Sequence, residues 1–316
     1  MKMISILDTS ICSSNLGDRI IMDAITNVME DIFDNILTIH IQTHDVISKT
    51  SYQYMRGSEL KLLGGTNLLS SNMNWYNQWK VSLWDSMFVK NIILCGVGWW
   101  QYQNKPNLYT QILYKNLLDK NYLHSVRDSY TEQKLNSIGV KNVINTSCPT
   151  MWKLTEEHCR SIPQERADSV LVTFTEYNQH PDFDSKLVNL LEKEYKQIYF
   201  WTQQPKDYEY MRSICSDKVI YLQPSLKGLD RCLSENKVDY LGTRLHAGVR
   251  ALQHKKRTLI LSVDNRATEI AKNTNLPVIE RDNLIAIASW INSKYETKIK
   301  LPLQNINQWK NQFLNT

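Results

Sequence analysis

Two residues in the stretch "GTRLHAGVRAL", Gly242 to Leu252, have the means to do chemistry together. Arg244 and His246 sit two apart, after an apolar run that ends in a glycine and before a helical apolar pattern of Ala247, Val249, Ala251 and Leu252. At the end of a strand, positions i and i+2 project to the same side. A helix that starts near His246 offers unpaired backbone N–H groups to an anion. The planar fork of arginine binds a phosphate or a carboxylate through two parallel hydrogen bonds. The combination reads as an anion site with a proton donor; a surface ion pair beside a capped helix fits the same residue types.

Other polar groups stand at comparable places. "LHSVRDSYTEQKL" puts Arg127 and Asp128 between an apolar strand and a helix that Ser129 could cap. "KLLGGTNLL" ends a strand in Gly64 and Gly65, followed by Thr66 and Asn67, a turn that lets backbone amides approach a ligand. It is neither GxGxxG nor a Walker A motif. "SSNLGDRII" opens a helix with Asn15 and Asp18, and "LILSVDNRATEIA" places Asp264, Asn265 and Arg266 between a strand and a helix. For Asp18, Asp264 and Asn265, helix capping and substrate contact are both open readings.

These residues need elements that hold them. In the first half, apolar runs at Met3–Leu7, Ile36–Ile41, Leu60–Leu63, Ile92–Val97, Leu123–Val126 and Val143–Asn145 read as strands. Helical patterns at Asp18–Met29, Trp75–Met87, Leu108–Leu118 and Ser129–Ile138 lie between them. The second series has strands at Val170–Phe174, Ile198–Trp201, Val219–Leu222, Tyr240–Leu241, Thr258–Val263 and Pro277–Ile279. Its helices are expected at Ser185–Tyr195, Leu226–Asn236, His246–His254, Ala267–Asn273 and Leu284–Ser293. Continuous apolar strands alternating with helices argue for parallel sheets built from βαβ units. The expected class is α/β, with Rossmann-like domains at 1–155 and 165–300, a polar linker around Pro149–Ser169, and a C-terminal helix at 301–316 that could pack back on the first domain or rest on a membrane surface. In such folds ligands bind beyond the carboxyl ends of the strands, so two domains facing each other predict a cleft between them.

Composition narrows the partners. The 316 residues carry 37 Lys+Arg against 32 Asp+Glu, a surplus of five spread without a basic block. That distribution argues against nucleic acid and suits anionic small molecules or, at most, peripheral contact with a membrane. No apolar run approaches a membrane span, and the N-terminus enters its first strand without a signal-peptide pattern, so the expected place is the cytoplasm or the inner face of the membrane. The six cysteines form no CxxC pair, and no cluster suggests a metal. "GVGWWQYQ" offers Trp99, Trp100 and Tyr102 either for stacking on sugar rings or for an interdomain contact.

In this order the segments "NLGD", "GGTNLL", "SVRD", "CPT" and "RLHAGVRAL" followed by "VDNR" resemble the polysaccharide pyruvyl transferase family, over about Ser13 to Ala271. The resemblance implies a glycosyltransferase-B-like fold. It implies phosphoenolpyruvate as donor, a sugar hydroxyl pair as acceptor, lipid-linked or in a saccharide chain, and a cyclic pyruvate ketal on a bacterial surface polysaccharide or its precursor. Arg127 and Arg244 match the positions expected to hold phosphoenolpyruvate, and His246 the expected acid. Asp18, Gly65, Thr66, Asn67, Asp264 and Asn265 are further substrate-contact candidates. Phosphoenolpyruvate is a co-substrate, and neither cofactor nor metal is expected. Cys148 stands where the family often has aspartate, and Arg266 where it often has lysine. A nucleotide-sugar glycosyltransferase of the same fold would prefer a glycine-rich loop and a ribose-binding carboxylate. A non-catalytic subunit of a polysaccharide assembly complex would have no need to keep Arg127, Arg244 and His246 together.

Overall fold

The computed structural model describes residues 2–215 and 218–314. They divide into two compact units, one formed by residues 2–13, 21–152 and 301–314, the other by residues 14–20 and the described part of 153–300.

The first unit begins with β1 (Lys2–Asp8), α1 (Leu16–Ile32, whose first turn belongs to the second unit), β2 (Ile36–Gln42), α2 (Lys49–Gly57) and β3 (Leu60–Gly64). It continues with α3 (Asp85–Phe88), β4 (Ile92–Cys95), α4 (Leu108–Leu117), β5 (His124–Val126), α5 (Ser129–Ser137) and β6 (Val143–Asn145). A parallel four-stranded sheet runs in the order β2-β1-β3-β4, and β5 pairs with β6 beside it. A bridge from Val97 to Val126 connects the two sheets. Ile4, Ile6, Leu62, Leu63 and Leu94 are buried on both faces of the sheet, which is why these strands read as unbroken apolar runs.

The second unit takes α6 (Glu156–Arg160), β7 (Ser169–Thr173), α7 (Pro181–Glu194), β8 (Gln197–Phe200), α8 (Pro205–Ile214), β9 (Val219–Tyr221) and α9 (Leu226–Glu235). Then come β10 (Val238–Gly242), α10 (Leu245–Gln253), β11 (Thr258–Ser262), α11 (Asn265–Thr274), β12 (Val278–Glu280) and α12 (Leu284–Asn292). Its six parallel strands run β12-β11-β10-β7-β8-β9, the doubly wound order in which the chain reverses direction between β7 and β10. The last helix, α13 (Leu303–Asn311), belongs to the first unit, where Ile306, Trp309 and Phe313 join the core with Trp152 and Ile6. Gln312 fixes its end by accepting from Leu123 N at 2.6 Å and donating to Leu123 O at 3.2 Å. Among the described residues no helix is long and apolar enough to cross a membrane.

Three local expectations differ from the structure, besides the short α6, which lies in the stretch expected as a linker. Of the helix expected over Trp75–Met87 only its last turn forms, as α3. Asp85 Oδ2 accepts from Ser82 N at 2.6 Å, and Trp79 and Val81 are buried two apart, an extended spacing rather than a helical one. Helices α2 and α8 lie where no helix was expected. They bury few residues each, Ser51 and Met55 in one and Asp207, Tyr210 and Met211 in the other, too few for an apolar period to show.

His124 sets a testable pH response. It is buried on β5, where Leu94 N–H donates to Nδ1 at 3.2 Å and Nε2 meets the Asp119 carbonyl at 2.9 Å, so the neutral ring has Nδ1 as acceptor. Burial lowers its pKa to about 4, against a smaller upward pull from Asp119. The unfolded chain therefore binds a proton that the folded chain does not between about pH 6.5 and 4, and stability falls as pH is lowered through that window by up to about 3 kcal/mol. Urea titrations from pH 7 to 4 should show this dependence in the native chain, and a shallower one in His124→Asn.

Candidate functional site

In the second unit the strand order reverses between β7 and β10, and the carboxyl end of β10 leads into Arg244 and His246. The two strands approach closely there. A Cβ on Gly242 would lie 2.3 Å from Thr173 Oγ1, and Thr243 N donates to Thr173 O at 2.8 Å. Arg244 follows in extended backbone as the N-cap residue of α10, and Tyr240 Oη donates to its carbonyl at 2.8 Å.

The Arg244 side chain is 2% exposed and bound side-on by Asp207, which is fully buried. Nε donates to Asp207 Oδ2 at 3.1 Å and Nη2 donates to Oδ1. The same carboxylate accepts from Glu176 N on Oδ1 and from Gln204 N on Oδ2, both at 3.0 Å. Gln204 and Asp207 form a capping box at the start of α8, with Pro205 at its first turn. The sequence reading gave Arg244 an open fork; in the structure its Nε–Nη2 edge is taken by Asp207.

Beside this pair lies a second guanidinium. Arg266 donates through Nε to Asp264 Oδ2 at 2.9 Å and through Nη2 to Tyr177 Oη. The Tyr177 ring lies 5.0 Å from the Arg244 guanidinium carbon and 5.6 Å from that of Arg266. Burial works against the charge on Arg266, but Tyr177 and Asp264 raise its pKa above the ordinary arginine value. Asp264 also caps α11 by accepting from Arg266 N at 2.9 Å, so its capping role is realised, and Asn265 is the first residue of that helix. His246 is buried in the first turn of α10, two residues after Arg244. Here the structure brings together Arg244, His246, Asp264 and Arg266 on the carboxyl-end loops of one sheet.

The first unit holds Arg127 in a different setting. Its side chain is 1% exposed; Nε donates to Asp128 Oδ2 at 3.2 Å and Nη2 donates to Asn67 Oδ1. Among the described residues Nη1 is buried with no hydrogen-bond partner. Asp128 also caps α5, accepting from Thr131 N at 2.7 Å. A Cβ on Gly98 would lie 2.2 Å from the Arg127 guanidinium carbon, so a side chain there would displace the guanidinium. Thr66 takes a positive φ of 61°, and its carbonyl accepts from Gly98 N at 2.8 Å. Gly65 has φ 31°, and a Cβ there would meet Ile21 Cγ2 at 2.2 Å, so its smallness serves the packing of α1. Buried Cys148 has its thiol pKa pushed up by burial, against smaller opposing effects from Thr150 and the Arg127 charge.

Asp18 is buried in the first turn of α1, a favourable place for a carboxylate. That turn is tied to the second unit. Asn15 Oδ1 accepts from Gly17 N at 3.0 Å and from Gln203 Nε2 at 2.8 Å, and a Cβ on Gly17 would lie 2.7 Å from that Nε2. Of the aromatic trio, Trp99 is a core residue whose indole N–H bonds Gln103 Oε1 at 2.9 Å, so it is unavailable to a sugar. Trp100 stacks on Tyr76 at 3.8 Å, and Tyr102 is exposed. Among the described residues no three His, Cys, Asp or Glu side chains are grouped to hold a metal. The sequence reading missed Asp207 and Tyr177; the pattern Gln204-Pro205-x-Asp207 was the available signal for the first.

Two parallel α/β units of this kind form a glycosyltransferase-B-like fold. S. aureus MnaA in complex with UDP is 11% identical, with TM-score 0.54 over 93% of this chain and 91% of that one. The UDP-GlcNAc 2-epimerase of Methanocaldococcus jannaschii is 13% identical in its complex with UDP-GlcNAc and UDP, with TM-score 0.57 over 99% and 98% of the two chains. No protein of curated function matches the chain at a significant level. The profile of the polysaccharide pyruvyl transferase family matches residues 15–265. The chain belongs to that family, and is a transferase.

The Arg244–Asp207 pair gives the second prediction. Removing one member of a buried ion pair leaves the other charge uncompensated, at a cost of about 3–5 kcal/mol. Asp207→Ala should lose that much stability in urea unfolding, and Asp207→Leu combined with Arg244→Met should recover most of it. Equal loss in the single and double variants would show that the pairing is not what holds these loops.

Proposed function

We propose that the chain moves the pyruvyl group of phosphoenolpyruvate onto two hydroxyls of one sugar in a surface polysaccharide or its precursor. The observation that carries the reading is a buried arginine, oriented by a carboxylate, two residues before a histidine in the first turn of a helix. Arg127 and Arg244 are the assigned holders of the anionic groups of phosphoenolpyruvate, through charge-assisted hydrogen bonds. Asp18, Gly65, Thr66, Asn67, Asp264 and Asn265 are assigned to substrate contacts.

His246 delivers its proton to the methylene carbon, leaving an oxocarbenium-like centre at C2. One sugar hydroxyl attacks C2 and gives up its proton. The C2–O bond to phosphate then breaks, and attack by the second hydroxyl, with loss of its proton, closes the ketal. Of the two protons released, one restores His246 and one leaves with phosphate. A helix N-terminus disfavours imidazolium, but a bound dianion favours it, so the acid forms with the donor in place. The reaction needs no cofactor beyond the donor, and a phosphoenolpyruvate donor suits a cytoplasmic site of action.

Arg127→Ala and Arg244→Ala should each weaken phosphoenolpyruvate binding by about 1.5–3 kcal/mol in calorimetry. Unchanged affinity in both would remove the donor assignment. Thermal stabilisation by UDP in place of phosphoenolpyruvate would favour a nucleotide-sugar donor. His246→Gln should keep the fold and most donor binding, while pyruvyl transfer falls by roughly two to four orders of magnitude. A lower melting temperature with retained turnover would make His246 structural instead.

A further inference from the structure

Next to the Arg244 pair, within the second unit, is a cavity of about 460 Å³ that none of the roles above uses. It opens at the carboxyl ends of β8 and β9, and its volume lies in the usual range for small-ligand pockets, about 300–1,000 Å³. Tyr208, Tyr221, Pro205 and Pro224 form apolar walls, while Ser14 and Thr202 contribute hydroxyls.

Among the described residues the lining has no charged side chain. That disfavours phosphoenolpyruvate, or the diphosphate of a nucleotide, inside it. Its chemistry is that of a saccharide site: flat rings for the C–H face of a pyranose, and neutral hydrogen-bonding groups for its hydroxyls. Tyr208 is 41% exposed and held in place by the edge of Tyr221, ring centres 5.0 Å apart, and by the Arg212 guanidinium 5.9 Å from its centre.

The cavity is also coupled to Arg244. Gln204, in its wall, donates its N–H to Asp207 Oδ2, the oxygen that accepts from Arg244 Nε. Wall and guanidinium share one acceptor atom. Helix α8 thus presents Pro205 and Tyr208 to the cavity and Asp207 to the arginine.

We propose that this cavity is a subsite for a pyranose ring of the acceptor, stacked on Tyr208. The proposal rests on the reading that the acceptor is a sugar, and it is tested without donor or turnover. Saturation-transfer NMR on the full chain would use the methyl glycosides of glucose, galactose, mannose and N-acetylglucosamine, with uridine as a separate probe. At least one glycoside should receive saturation from the native protein. The signal should drop at least fivefold in Tyr208→Ala and persist in Tyr208→Phe, which keeps the ring. Phosphoenolpyruvate stabilisation, measured on the same preparations, should be the same in all three. If no glycoside binds, if Tyr208→Ala binds as the native chain does, or if uridine alone shows the Tyr208-dependent signal, the proposal is wrong. Loss of phosphoenolpyruvate stabilisation in the native chain would instead reject the donor reading and leave the cavity result standing.

Discussion

A guanidinium stripped of water must find a carboxylate, and a stripped carboxylate must find donors for all its lone pairs. Asp207 meets both conditions at once. It accepts twice from Arg244, once from Glu176 N and once from Gln204 N. Those groups follow β10, β7 and β8 in turn, so a single carboxylate ties together three loops at the carboxyl edge of one sheet. The start of α8, the direction of the Arg244 fork and the entry into α10 are consequences of that one set of four bonds.

The first unit secures Arg127 by other means. Asp128 is adjacent in sequence and spends one oxygen on capping α5, so it supplies a single bond to Nε and leaves Nη2 to Asn67. Space for the guanidinium comes from the missing side chain of Gly98. The result is less complete, because among the described residues Nη1 remains a buried donor without an acceptor. Such a group costs about 1–3 kcal/mol, a cost that an anionic ligand reaching Nη1 would relieve. This supports Arg127 as a binding residue more strongly than its position in the sequence does.

Much of the architecture was readable because the strands are buried on both faces. Leu259, Ile260 and Leu261 in β11 form an unbroken apolar run, and in β1 only the small Ser5 interrupts Ile4, Ile6 and Leu7. Helix α10, which buries Leu245, Ala247, Val249, Ala251 and Leu252, was readable for the same reason. What failed was sequence whose structure is decided by distant partners. Residues 14–20 lie in the first half of the chain yet belong to the second unit, fastened by bonds from Gln203 to Asn15 and from Leu16 N to Gln203 O. Arg244 and Arg127 could be named from their place after strands, but not their partners. Asp207 is 37 residues from Arg244 and Asn67 is 60 from Arg127, and no local spacing encodes such a pairing. Trp99 misled because an aromatic cluster near a strand end looks alike whether its rings face a ligand or the core.

The pairing of Arg244 also bears on how an anion would be held and released under the proposed reaction. An unpaired buried arginine is a strong, undirected attractor for any phosphate, product included. With Asp207 fixed on its Nε–Nη2 edge, the pair is close to neutral, and what it offers an incoming anion is a directed hydrogen bond more than a net charge. Attraction at a distance is reduced, while the cost of orienting the guanidinium has already been met in folding. Under the proposed reaction, discrimination between donor and product then lies in how each fits the remaining edge, and the buried carboxylate is what moves it there.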